Sequence, residues 1–187
     1  MPTNRKPIKT LGSDRVIFIT GEITEANVAE TAQRLFKLDS KSNKDILLIV
    51  SSDGGGAIDG LYLTNCFKLI KSNIAILVPS NAQSTATIIL ASGTKGKRII
   101  MPGAVAMMHT CVYSLPETSH KIQKVEIEHQ EKMEHVYNKI LSDNGFKYPE
   151  HGTTSEYNFY VGQEIIDAGL ADVMINSLDE LNKIVNL

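Results

Sequence analysis

Cysteine is scarce in this chain: Cys66 and Cys111 are the two among 187 residues. Two cysteines build no disulfide framework, and their spacing matches no metal-binding pattern. A reducing compartment, the cytoplasm, is the expectation. Long hydrophobic runs are missing too. No apolar stretch approaches the roughly 20 residues that cross a bilayer. Residues 1–9 are polar and basic, lack the apolar segment of a secretory leader, and are too few for a transit peptide. No membrane contact is expected. Nor is one sign of charge in excess: 19 Lys and Arg stand against 21 Asp and Glu, a net charge of −2, which offers a nucleic acid no basic surface. Repeats and low-complexity tracts are absent. His120, His129 and His135 form no tight ligand pattern and fit the solvated face of a helix better. No metal or other cofactor is implied.

What remains is an ordinary globular composition, 42% hydrophobic and 21% charged, with a length suited to a single domain over residues 1–187. Residues 1–13 read as a short irregular arm. Residues 15–19 (RVIFI) and 74–78 (IAILV) read as buried strands, and 45–50 (DILLIV) as a nearly continuous apolar strand, the kind covered on both faces of a parallel sheet. Between them lie helices: one capped by Thr24, with Val28, Ala29, Ala32, Leu35 and Phe36 at helical spacing, and one over 57–71. Short strands are expected at 97–101 and 104–108. A long amphipathic helix of about six turns follows over 119–142, then an irregular stretch, 144–158. A helix over 163–168 ends at Gly169, a strand follows over 170–175, and the tail holds one short helix at most. Alternation of strand and helix means right-handed βαβ units and an α/β fold. Sites in such folds gather beyond the carboxyl ends of the strands. Two turns lie there, 52–56 and 81–85.

The second turn opens the stretch that organises the chain. Ser84 follows a polar turn and begins an apolar run, 85–91, while His109 ends another, 104–108. A hydroxyl at a helix start and an imidazole at a strand tip are the parts of a nucleophile and its base. The plainer alternative is a serine N-cap and a structural histidine. The first turn, SSDGGG, fits neither phosphate-loop pattern and carries no lysine. It is either a tight turn that lets chain approach chain, or a backbone donor facing developing negative charge. In the second case the N–H groups of Gly55 and Thr85 form a two-donor oxyanion hole. Cys111, two residues from His109, is awkwardly placed to be a nucleophile, since alternate side chains on a strand run parallel. Lys95, Lys97 and Arg98 are expected to be solvent- or subunit-facing charges.

Taken together, these segments resemble the ClpP family, the proteolytic subunits of the ATP-dependent Clp protease, serine peptidases of crotonase-like fold. RVIFITGEI looks like the family's first core strand, and SSDGGG stands where the family has Ser-Pro-Gly-Gly. NAQSTATIILASGTKGKR is similar to its nucleophile segment, VAMMHT to its base segment, and FYVGQEIIDAGLAD to its closing segment. The resemblance implies Ser84 as nucleophile, His109 as general base 25 residues on, and Gly55 and Thr85 as oxyanion donors. It also implies a protruding handle helix over 119–142, a homo-oligomeric ring (heptamer or double heptamer), peptide or unfolded-protein substrates, and an AAA+ ATPase as a partner that the family allows.

This chain departs from the family in four places. Tyr157 stands where the family has the aspartate that completes the triad, with Glu156 and Asn158 beside it. A slip of one residue in the shortened segment would bring Asn158 to His109. Asn158 is the favoured third member and Glu156 the alternative. The arginine that follows the family's aspartate is absent. Cys111-Val112-Tyr113-Ser114 replaces a glycine-rich strand, and the arm 1–13 is shorter than the family's axial loop. A serine endopeptidase is the leading expectation. A catalytically weak or inactive ring subunit is the alternative, and an acyl-CoA enzyme of the wider crotonase-like fold a distant third.

Overall fold

The continuous apolar runs become neighbours in a parallel sheet. In the computed structural model, which describes residues 14–109, 120–147 and 157–187, β1 (Val16–Thr20), β2 (Ile46–Ser51), β3 (Ile74–Val78), β5 (Arg98–Ile100) and β8 (Val173–Met174) lie side by side in that order. All of these pairs are parallel. Alternate residues point to opposite faces, so each strand feeds two cores. Ile17, Ile19, Leu48, Val50, Ile76 and Val78 belong to one, shared with α1 (Glu25–Asp39), α2 (Ala57–Phe67) and α3 (Thr85–Ala91). Val16, Leu47, Ile49, Ala75, Leu77 and Ile99 belong to the other, shared with Leu181 of α6 (Leu178–Ile184). The expected cap of the first helix is present as a capping box, Thr24 and Asn27 serving each other's backbone.

A second sheet, absent from the expectations, stands beyond the carboxyl ends. It is made of β4 (Asn81–Gln83), β6 (Val105–Met108) and β7 (Asn158–Val161), in that order. β4 is the polar turn of the sequence reading; it is held as a strand by pairing on both sides, to Ser52 and to β6. The long helix is α4 (His120–Asp143). Its C-terminal half packs Met133, Tyr137, Ile140 and Leu141 into the core, whereas Val125, Ile127, His129 and His135 are exposed. α5 (Gln163–Asp167) precedes Gly169 as expected. The expectations for the arm 1–13, Cys111 to Ser114 and Glu156 fall outside the described residues.

One expectation is corrected outright. Arg98 is not a surface charge: it is 1% exposed, and its guanidinium grips Asp172 through Nε at 2.9 Å and Nη2 at 2.5 Å. Its third nitrogen donates to the carbonyls of Asn144 and Gly169, so one side chain ties β5 to the end of α4 and the turn before β8. Lys97 is likewise drawn in, to Asp45 at 2.6 Å and the Ile184 carbonyl at 2.7 Å, while Lys95 stays exposed. Burial alone would raise the Asp172 carboxyl. The Arg98 guanidinium, with the backbone N–H groups of Arg98 and Gly96, outweighs it and holds the group down at about 2. A carboxyl depressed in the fold stabilises above its unfolded value near 3.9, and loses that contribution as pH falls through the folded value. About 2 kcal/mol of stability should therefore fade between roughly pH 4 and 2. Urea unfolding of Asp172→Asn beside the parent checks this: the stability gap should be wide at pH 6 and narrow as pH approaches 2.

Candidate active site

Strand register brings the site together. β4 and β6 run parallel with Gln83 opposite Met107, and the Ser84 N–H continues that ladder onto the Met107 carbonyl at 2.7 Å. The next residue of each chain path is then adjacent, and His109 Nε2 lies 2.9 Å from Ser84 Oγ. Ser84 occupies the position before α3 but makes no capping bond with its side chain. Its φ is +53°, the only positive value at a non-glycine among the described residues. A serine in that region is strained by about 1–3 kcal/mol, a cost that gathers at functional sites. The turn lifts the hydroxyl out of the capping position and towards the imidazole. Thr87 supports it from below: its buried hydroxyl lies 2.7 Å from the Ala82 carbonyl and 2.8 Å from that of Met107, bridging β4 and β6. Its signal in the sequence is a hydroxyl inside an apolar helix, a buried group that has to find a partner.

The glycine turn is fixed against this serine from two sides. Ile23 donates to the Gly54 carbonyl at 2.7 Å and accepts from the Gly56 N–H at 2.8 Å. In such a bridge the middle residue, Gly55, turns its own N–H and C=O the other way. On that side its carbonyl accepts from Thr85 Oγ1 at 3.0 Å. Asp53 secures the other flank, one oxygen accepting from Asn81 at 2.7 Å and Gln83 at 3.0 Å. Gly54 is pressed so close to Ser84 that a methyl added to it would stand 2.7 Å from the serine Cβ. Thr85 is the first residue of α3, so its N–H has no acceptor within the helix. Gly55, Thr85, Ser84 and His109 all line one cavity of about 460 Å³, whose far wall is Ile88, Met108 and Leu141.

Asn158 does not join them. β6 and β7 pair antiparallel, with Met107 opposite Phe159 and Met108 opposite Asn158. Directly paired side chains share a face, so Asn158 goes with Met108, while its neighbour Tyr157 goes with His109. The Tyr157 and His109 rings are 5.5 Å apart at 41°, and the Asn158 amide nitrogen is buried with no hydrogen-bond partner among the described residues. The expected slip of register is therefore absent, and Tyr157 is the cross-strand neighbour of the imidazole.

Comparison with known proteins gives the chain a family. The family model described as Clp protease matches residues 3–177. The chain belongs to the Clp protease family. Among its relatives are ATP-dependent Clp protease proteolytic subunits of Streptococcus agalactiae, 35% identical over 88% of this chain and 86% of theirs, and of Streptococcus thermophilus, 36% identical over 88% and 86%. The subunit of Ligilactobacillus salivarius is 32% identical over 85% and 82%. The mostly parallel sheet, with six helices among the described residues, is consistent with a ClpP-type fold. Membership of the Clp protease family implies a peptide hydrolase. No helix among the described residues is long and apolar enough to cross a membrane.

Proposed function

We propose that this chain is a serine endopeptidase of the Clp protease family that cleaves small or unfolded polypeptides in the cytoplasm, inside a ring of its own copies. The observation that carries the reading is the 2.9 Å approach of His109 Nε2 to Ser84 Oγ, made by a serine held at positive φ. Ser84 attacks the peptide carbonyl as Nε2 takes the hydroxyl proton, and the imidazolium then returns that proton to the leaving amine. Negative charge gathers on the carbonyl oxygen, where the N–H groups of Gly55 and Thr85 receive it. Water repeats the sequence to release the acyl group. Ring assembly is supported by exposed apolar side chains a monomer would not leave in water, Ile58 and Tyr62 on α2, Leu69 just past it, and Phe159 and Val161 on the edge strand β7. The relatives are named as ATP-dependent proteolytic subunits, which supports an ATPase partner, of the AAA+ class on the family resemblance, as feeder of substrates. The reading is tested with small fluorogenic peptides and the purified chain: turnover is expected without ATP, from a species several times the monomer mass. A monomer that cleaves nothing would contradict it.

A weakly active ring subunit is the second reading, and Tyr157 favours it. A base needs an acceptor on its other ring nitrogen to fix its tautomer. Exchanging aspartate for asparagine in a Ser-His-Asp triad costs about 10⁴ in kcat, and Tyr157 brings no charge to the imidazolium. Tyr157→Asp is expected to raise kcat by about tenfold or more on this reading. An unchanged kcat would show that a carboxylate on this strand does not serve His109.

A further inference from the structure

The cavity beside Ser84 is not uniformly apolar. α4 presents Glu134, Tyr137, Asn138 and Leu141 to it, spaced as one face of a helix. Leu141, with Ile88 and Met108, forms an apolar wall, whereas Glu134 is a half-buried carboxylate. The Tyr137 hydroxyl donates to the Ala57 carbonyl at the start of α2, which pins that turn of α4 in place. Asp53 adds a second carboxylate, exposed and oriented by Asn81 and Gln83. Neither Glu134 nor Asp53 is in an ion pair among the described residues. No Lys or Arg is among the described residues lining the cavity.

We infer that Glu134 is a specificity-determining residue that makes this pocket select a lysine or arginine side chain on the acyl side of the scissile bond. The inference rests on the serine-peptidase reading above. Such a side chain has an apolar stem and a cationic end. Its methylenes lie along Ile88, Met108 and Leu141, and its charge meets the carboxylate of Glu134. A volume of about 460 Å³ holds the longest natural side chain with room for water. An acid in the first specificity pocket is the device by which other serine peptidases choose basic residues. The Asp53 carboxylate reinforces the choice at longer range and repels an acidic substrate.

The test uses the assembled protein and three fluorogenic peptides that differ only at the residue before the cut: lysine, norleucine and glutamate. Lysine and norleucine share a stem, so their ratio isolates the charge. Lysine should exceed norleucine in kcat/KM by about tenfold, with glutamate slowest. The ratio should collapse near 1 M salt, where charges are screened within about 3 Å. It should shrink in Glu134→Gln, and glutamate should overtake lysine in Glu134→Lys. Labelling by a fluorophosphonate reports whether each variant keeps a reactive Ser84; where one does not, the parent's ratio at low and high salt decides. If the parent is labelled at Ser84 yet cleaves norleucine as fast as lysine, the inference is overturned and the serine-peptidase reading stands. If nothing is cleaved and Ser84 is not labelled, both fall.

Discussion

Ser84→Ala should reduce peptide cleavage by about 10⁴-fold or more, with the fold retained. Residues of a nucleophile and base pair act as a unit, and removal of either costs nearly as much as removal of both, about 10⁶ in a well-studied case. The fold should survive because the serine hydroxyl does no structural work: it caps no helix, and its partner is His109. The backbone at residue 84 keeps φ near +53°, which alanine tolerates as poorly as serine, so the change in strain is small. Circular dichroism and ring mass should match the parent. Cleavage at a tenth of the parental rate or better would remove Ser84 from the chemistry.

Gly55→Ala should cost both stability and activity, by a different route. Gly55 has a φ of +147°, and an added Cβ would lie 2.2 Å from the Ile23 carbonyl oxygen and 2.6 Å from its nitrogen. Both obstacles are backbone, so no side chain can swing aside. Strain at such a φ costs about 1–3 kcal/mol, and overpacking costs about as much again. The expected loss is about 2–6 kcal/mol of stability, read by urea unfolding. On the proposed oxyanion role, relief of the clash also turns the Gly55 N–H from the reacting carbonyl, and loss of one such donor lowers kcat about 10²–10³-fold. A variant that loses stability but keeps its kcat per folded molecule would make Gly55 a close-approach glycine and nothing more.

The sheet was legible because its strands announce themselves. Residues 46–50 (ILLIV) and 74–78 (IAILV) are apolar at every position, as burial on both faces requires. The second sheet was not, because Asn81-Ala82-Gln83 has no strand character of its own and takes its conformation from neighbours on either side. Ser84 was legible as a residue at a helix start. Its positive φ is imposed by the ladder bond to Met107 and the crowding of Gly54, neither of which local sequence records. Arg98 was misread for a related reason. In Lys-Gly-Lys-Arg it looks like one more surface charge, and its partner Asp172 lies 74 residues away. The third member of the site turned on register. Whether Tyr157 or Asn158 faces His109 depends on which pairs with Met108, and shifting a strand by one residue exchanges its faces. Glu134 carries no signal of its own in a long amphipathic helix, and only the packing of α4 turns it to the cavity.

The most direct measurement is covalent labelling of the assembled protein with a fluorophosphonate, followed by peptide mapping of the modified residue. An unactivated serine is inert to this reagent, whereas one paired with a base and facing oxyanion donors reacts. The account predicts a single adduct, on Ser84, formed at a rate that falls sharply in His109→Ala. Unlabelled protein, or an adduct that forms on Ser84 as quickly without His109, would contradict it.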